Sequence, residues 1–558
     1  MAFSLSQQEF SFQQGGELRF ETWFNLFNLD RWKKSLIGEV FLCLTGHGRF
    51  EVTIHNSQRG RSKETLFQES LDIERVDTLP LSDLLNLGKL KGVLTVSIKC
   101  LSCDGILRDL EWKTDQAPQT EVDAMIVIPT FEREDQIARL VAKLVAWRAQ
   151  SPHALRVAVV DNGGSVAGLK QDGVTVIASK NYGGSGGFAK GLMAAQEARV
   201  SHCVFMDDDA DLHRESLFRS LAYLGYAAAP NTAICGAMIA SKNRSVIWEN
   251  GATFYQFCHP HHGGTDLTSL DQAVEMEGTV SGPLACNLYA GWWFFAFPTE
   301  AVRHLPYPFF LRGDDVSFSL SNPFKIHRLN GVAAYQEGFT AKESPRSWYF
   351  DIRSHLVHHL SHAHLQISVL SVLKIVVFFL GQTVLRMHYG SARAVLLGLK
   401  DVIRGPEFFA RNANMQASLS QIDQIGHAEA WRPYVPSQPT RRHRSRLGAF
   451  WVLLGNGLWI PGFRLFGRHA TVNARDRRNL DLTWGASTVT VLHDTQPLAY
   501  HLKHSKLQAA SIGLAFIVLA LRLLIKYRGL RQRYQSSYSD LTSSTFWRRT
   551  FAGEEVPA

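Results

Sequence analysis

The sequence predicts an α/β protein built on a doubly wound, mostly parallel sheet, with an antiparallel β-sandwich before it and a mainly helical region after it. Three observations predict this order. From residue 123 onward, short apolar runs (Asp123–Thr130, 155–160, Val174–Ala178, 202–206) alternate with helical or loop segments, the grammar of a parallel sheet with crossover helices. Before residue 119, apolar residues alternate with period two and are broken by glycine and polar turns, as in an antiparallel sandwich. After Tyr349 the pattern turns helical. At 558 residues the chain exceeds what one core serves, so about two to four domains are expected; the breaks place them at 1–119, 120–348 and 349–558.

With 45% hydrophobic and 20% charged residues the chain is globular, which excludes a disordered tail protein. Its seven cysteines are odd in number and scattered, which suits a reducing compartment. Cys100 and Cys103 form a lone CxxC with no second pair at zinc-ribbon spacing. The first ten residues have neither a basic n-region nor a long apolar run, so no secretory signal is expected and the cytoplasm is the expected compartment. The net charge of +9 is uneven: residues 441–558 hold 18 Lys and Arg against 6 Asp and Glu, leaving −3 for the rest. Such a basic end is drawn to an anionic surface, membrane or nucleic acid. Its basic residues cluster beside an apolar helix instead of along a groove-tracking element, so a membrane is expected and nucleic acid is not.

In the sandwich, residues 39–44, 49–54 and 92–98 read as strands. The Ala117-Pro118-Gln119-Thr120 break ends it. Each run of the following sheet stops at a polar residue able to face a ligand: Thr130, Asp161, Asn181 and Asp207. The last opens Asp207-Asp208-Asp209, three adjacent acids that repel one another unless a divalent cation sits among them. An acidic turn capping the helix near Glu215 is the alternative; an EF-hand is excluded because Leu212 stands where that loop needs glycine. Asn181-Tyr182-Gly183-Gly184-Ser185-Gly186-Gly187 follows a strand and opens a helix, where backbone N–H groups can approach phosphate oxygens. It lacks the GK[ST] of a P-loop. The run 289–298 packs aromatics densely; most are expected in the core, with an indole of Trp292 or Trp293 able to face a sugar. Residues 308–315 form a second apolar run ending in paired acids, Asp314 and Asp315, which can divide structural and general-base roles.

Farther on, 366–380 and 448–466 are apolar but interrupted. Residues 509–525 are the best membrane candidate, yet Arg522 interrupts a run shorter than the roughly 20 residues a span needs, so a buried or interfacial helix is expected. Lys526, Arg528, Arg531 and Arg533 follow it. His355, His358, His359 and His362 share one helical face without a carboxylate or cysteine nearby, which favours a surface or packing role over a metal site.

The order of these motifs, from Pro129-Thr130-Phe131-Glu132-Arg133 through Val160-Asp161-Asn162-Gly163, the Asn181 glycine loop, 205–209, Gly291-Trp292-Trp293 and 311–315, resembles that of the family 2 glycosyltransferases of GT-A fold. More narrowly it is similar to the bacterial galactofuranosyltransferases that polymerise cell-wall galactan from UDP-galactofuranose, which also carry an amino-terminal β-sandwich and a carboxy-terminal helical region. The resemblance implies a GT-A catalytic domain in which Thr130, Arg133 and Asp161 contact the uridine or ribose end of the donor. It implies that Asn181, Gly184 and Gly186 face the diphosphate, and that Asp208 contacts the ribose or sugar. Asp207 and Asp209 would hold Mn²⁺ or Mg²⁺, Trp292 and Trp293 would lie in the acceptor cleft, and Asp315 would be the base with Asp314 beside it.

One departure stands out. Where the family shows a Trp-His pair whose imidazole completes the metal site, this chain has Gln336, followed by Glu337. An amide oxygen suits hard, oxygen-preferring ions more than it suits Mn²⁺. The Arg-Asn that closes the region also differs, reading Arg353-Ser354-His355. The expected function is inverting transfer of galactofuranose to a hydroxyl of a lipid-linked cell-surface glycan by a protein peripheral on the cytoplasmic face of the membrane, with the oligomeric state left open. The alternatives are transfer of another sugar, such as rhamnose, and a degenerate glycan-binding or scaffold protein.

Overall fold

The computed structural model describes residues 9–81, 85, 87–169, 171–338, 343–434 and 448–554. The first eight residues, on which most of the leader reading falls, and the basic stretch 441–446 lie outside them.

Eight strands come first: β1 (Phe10–Phe12), β2 (Glu17–Phe20), β3 (Phe27–Asn28), β4 (Val40–Ser57), β5 (Glu64–Ile73), β6 (Val76–Pro80), β7 (Val93–Cys100) and β8 (Gly105–Thr114). All their pairings are antiparallel. The 18-residue β4 is long enough to serve two sets of partners. Its first half pairs with β6 and β8, its second half with β5 and β7, and Leu42, Leu44, Phe50, Val52 and Ile54 line the core beneath it.

The central sheet holds β9 (Asp123–Thr130), β10 (Ala154–Asp161), β11 (Val174–Ala178), β12 (His202–Phe205), β13 (Asp211–Leu212), β14 (Thr232–Ala240), β15 (Ile247–Glu249), β19 (Phe295–Pro298) and β20 (Lys325–Gln336). The strands β16 (Ala252–Phe254), β17 (Cys258–Pro260) and β18 (Leu288–Tyr289) form a small sheet beside it. The main order is β11-β10-β9-β12-β19-β14-β20-β13. Its first four strands are parallel, β19 runs against both neighbours, and β14 and β20 are parallel. The period-two alternation of the amino-terminal strands is absent here: β9 and β10 are nearly continuous apolar runs because helices cover both faces. Those helices are α1 (Glu134–Arg148), α2 (Gly183–Glu197), α3 (Arg214–Gly225), α4 (Leu270–Val280) and α5 (Asp314–Ser321).

The remainder is α6 (Pro345–Ser361), α7 (Val369–Val384), α8 (Tyr389–Arg404), α9 (Pro406–Arg411), α10 (Gln416–Gly426), α11 (Gly448–Leu453), α12 (Phe463–Phe466), α13 (Lys506–Leu541) and α14 (Ser544–Ala552). Between them lies a four-stranded sheet of β21 (Arg432–Pro433), β22 (Arg468–Asn473), β23 (Ala486–Leu492) and β24 (Leu498–Lys503), which the helical reading of this region did not include. Of the α6 histidines, His358 and His359 are buried and pack against the Phe254 ring, His355 is half-buried, and burial lowers the pKa of all three. Cys100 is buried and Cys103 exposed, both as free thiols.

Candidate active site

Parallel register brings the strand ends together. Asp161 pairs with Thr130 across β9 and β10, and the acid triplet leaves the neighbouring β12. Thr130 Oγ1 donates to Asp208 at 2.9 Å and Arg133 Nη1 donates to the other Asp208 oxygen at 2.6 Å. Burial, opposed by Arg133, raises the Asp208 carboxyl above its usual range. Arg133 also reaches Asp209 at 3.3 Å. Asp161 is buried and turned into its own loop, accepting from the N–H groups of Gly163, Ser165 and Val166 at 2.9 to 3.2 Å. It shapes the loop after β10.

The second half of the sheet delivers the third donor beside the acids. β13 pairs antiparallel with the end of β20, Asp211 opposite Tyr335, so the next residue, Gln336, arrives over the triplet. Its Nε2 donates to Asp207 at 3.2 Å and to Asp209, while its buried Oε1 has no hydrogen-bond partner among the described residues. Turning the amide over would aim that orphaned oxygen at the space between the two carboxylates. Three oxygen donors would then face one point, a set suited to Mg²⁺ or Mn²⁺. Among the described residues no group of three His, Cys, Asp or Glu side chains is arranged to hold a metal; here the third donor is an amide. Glu337 is exposed.

The glycine stretch opens α2. Gly183 has φ +66° and a side chain there would collide with the Phe310 carbonyl, so a left-handed, unbranched residue is required. Asn181 Oδ1 accepts from the Gly183 N–H at 2.9 Å. Gly184 faces Asp314, whose Oδ2 would lie 3.5 Å from an added Cβ. Gly186 has a packing reason instead: its N–H bonds the Tyr182 carbonyl, and its Cα abuts Tyr182 and Trp547. Ser185, which no motif marks within the glycine run, donates from Oγ to Asp314 at 2.9 Å.

Asp314 and Asp315 begin α5 after Gly313, whose φ is +81°. The strap before them is held by Arg353, which donates to the Phe309 carbonyl and stacks on Phe409 at 4.9 Å. Arg312 pairs with Asp351 at 2.8 Å. Burial pushes Asp314 up to about 8, with the charge of Asp315 adding to it, and pushes Asp315 up to about 6. Glu249, a lone acid at the end of β15, is also buried and pushed up to about 8 by burial and by Asp315. No sequence motif marks it.

Trp292 and Trp293 require a correction. Both are at most 5% exposed. Trp292 sits edge-on to Phe188 and Phe205 in the core, and Trp293 lies over Gly291 and donates to the Gly236 carbonyl at 2.8 Å. Neither offers an open indole face to an acceptor, because the turn before β19 folds both rings into the core beside the aromatic side chains of that strand.

The chain matches the glycosyl transferase family 2 model over residues 125–268. It is 23% identical over 446 residues to galactofuranosyltransferase GlfT2 of Mycobacterium tuberculosis, covering 73% of this chain and 68% of that protein. It is 23% identical over 430 residues to galactofuranosyltransferase GlfT2 of Mycolicibacterium smegmatis, covering 70% of this chain and 64% of that protein, so the match spans about two thirds of the relatives' lengths. Among solved structures, a mannosyltransferase from Pyrobaculum calidifontis in complex with GDP-Man and Mn²⁺ aligns at 14% identity and a TM-score of 0.28, over 56% of this chain and 84% of that one. Residues 125–268, which include the acid triplet, match the glycosyl transferase family 2 model, and over about seven tenths of its length the chain is similar to galactofuranosyltransferases.

Proposed function

We propose that the protein transfers galactofuranose from UDP-galactofuranose, with inversion, to a hydroxyl of a lipid-linked cell-surface glycan. One observation carries this reading. An acid pair suited to a base, Asp314 and Asp315, is tied through Ser185 to the glycine helix, and the charge of Asp207 reaches Asp314. Two like charges side by side cannot both ionise cheaply, so the more buried Asp314 holds a proton and Asp315 carries the charge. Asp315 takes the proton from the acceptor hydroxyl as that oxygen attacks the anomeric carbon. The positive amino end of α2 faces the leaving diphosphate through Gly184, the N–H groups of Gly183, Ser185 and Gly186 being held by Asn181 Oδ1 and by the Phe310 and Tyr182 carbonyls. Thr130, Arg133 and Asp208 orient the ribose end. Asp207, Asp209 and Gln336 would hold a divalent metal, whose chemistry when bound is to offset negative charge growing on the departing nucleotide.

The regions 1–119, 120–348 and 349–558 are assigned as sandwich, GT-A catalytic domain and membrane-side region of a peripheral cytoplasmic protein. The intact Gln336 bridge to Asp207 and Asp209 favours an active enzyme over a degenerate scaffold. Release of UDP from UDP-galactofuranose in the presence of a lipid-linked galactan acceptor, with Mg²⁺, Mn²⁺ or chelator, tests the reading. Metal-dependent release supports it; release with a different sugar nucleotide alone discards the sugar, and silence with every donor discards the activity.

A further inference from the structure

Among the described residues, little covers the amino half of α13. This 36-residue helix carries a long apolar stretch, yet only 11% of that stretch is buried. Its buried residues, Ile512, Leu519, Leu523 and Tyr527, form one narrow seam. Around the rest of the circumference Leu514, Ile517, Val518 and Leu521 are exposed, with Leu507 at 85% and Ile525 at 84%. A helix apolar on nearly all sides belongs in a core or in lipid, and among the described residues no core surrounds this one.

Two other elements continue the apolar surface. α7, which packs on α13, exposes Leu370, Val377 and Phe378. α11, α12 and the turn between them expose Leu453, Trp459 and Leu465, the last at 90%, and Lys506 Nζ ties that turn to the start of α13 through the Ile460 carbonyl at 2.6 Å. Exposed apolar surface drawn from three elements is far more than a soluble monomer normally shows. Its charged border has one sign. Arg464 and Lys506 stand at one end and Arg522, Lys526 and Arg528 at the other, all exposed, and no acid occurs between residues 495 and 539.

We infer that this three-element face docks into an anionic lipid bilayer, immersed in one leaflet and not crossing it. The apolar run 507–521 ends at Arg522; at about 1.5 Å per residue its length is about 22 Å, short of the roughly 30 Å hydrocarbon core. The carboxyl half of the same helix is fixed to the enzyme body: Tyr534 donates to the Val402 carbonyl at 3.0 Å, and Tyr538 bonds Ser317 of α5 at 2.7 Å. Basic residues at the rim of an apolar face meet anionic headgroups. The inference deepens the membrane-side acceptor proposed above and rests on that reading for its biological setting, but its test uses no sugar and so fails separately.

The test is sedimentation of the full chain with vesicles of phosphatidylcholine alone or of an equimolar mixture with phosphatidylglycerol. The wild type sediments with the anionic vesicles, more weakly with neutral ones, and is released by alkaline carbonate. The double variant Ile517→Glu/Leu521→Glu, and separately Trp459→Ser/Leu465→Ser outside α13, each weaken vesicle binding about ten-fold or more with unchanged thermal melting. Wild type that stays in the supernatant with both vesicles, or variants that bind as it does, overturns the inference. Resistance to carbonate overturns it in favour of a span, and a lipid-free dimer dispersed by the same variants overturns it in favour of a second copy of the chain.

Discussion

Asp314 and Asp315 begin the same helical turn, and their environments divide them. Asp314 is buried against Ser185 and is pushed up to about 8, whereas Asp315 is pushed up only to about 6. Near neutral pH one negative charge is therefore shared by the pair, and it resides on Asp315. A base must be deprotonated, so activity is present above the Asp315 value and lost as pH falls through it. The expected acid limb of kcat/KM lies near pH 6, about two units above an ordinary aspartate, and a pH series of UDP release measures it. Gln336 is the second decisive residue. Gln336→Ala would leave Asp207 and Asp209 facing one another without the bridging amide, and calorimetry should show Mn²⁺ affinity about 10- to 100-fold lower. Gln336→His, which restores an imidazole, should bind Mn²⁺ at least as well as the wild type.

At the scale of elements, the glycine loop that opens α2 is backed by the end of the chain. α14 packs behind α2: Tyr182 donates to the Thr550 carbonyl at 2.7 Å, Phe551 meets the Tyr182 ring, and Trp547, fully buried, donates to the Pro306 carbonyl at 2.9 Å. The α2 glycines thus have two neighbours, the Phe310 strap on one side and Trp547 on the other. Trp547→Ala should cost about 3–5 kcal/mol of stability. It should also raise the donor KM more than it lowers kcat, because it loosens the loop and leaves the acids in place. Thermal melting and steady-state kinetics on one preparation separate the two effects. Gly183→Ala should be worse, since a left-handed backbone and the Phe310 carbonyl both exclude a side chain.

Across the whole molecule, the amino-terminal strands are attached to the catalytic sheet by a buried polar contact. Glu277 of α4 accepts from Trp23 Nε1 at 2.7 Å and from Asn28 Nδ2 at 2.5 Å. Glu277→Ala would leave those donors buried without their acceptor, at about 1–3 kcal/mol, and should lower the calorimetric melting temperature. Much of this architecture is legible in the sequence, because apolar strands ending at Thr130, Asp161 and Asp207 announce both the sheet and the edge where ligands sit. Other parts are not. Motif order places Trp292 and Trp293 correctly along the chain but cannot say which way an indole faces, and the core claimed both. Ser185 and Glu249 are single polar residues in unremarkable runs and give no signal before the fold brings them to the acid pair. The strands β22 to β24, six or seven residues each, mix apolar with polar and basic residues and lie between helices, so they read as part of a helical region. Periodicity also cannot distinguish lipid from protein as the cover of residues 507–521; only their exposure does.

The central claim is that Asp315 is the base of a sugar transfer. The most direct measurement compares wild type and Asp315→Asn in single-turnover transfer to a lipid-linked acceptor, with donor binding measured on the same samples. The account predicts unchanged donor affinity and transfer slowed about 10²- to 10⁴-fold. Transfer within a few-fold of wild type, with donor binding intact, would contradict it and move the search for the base to another group.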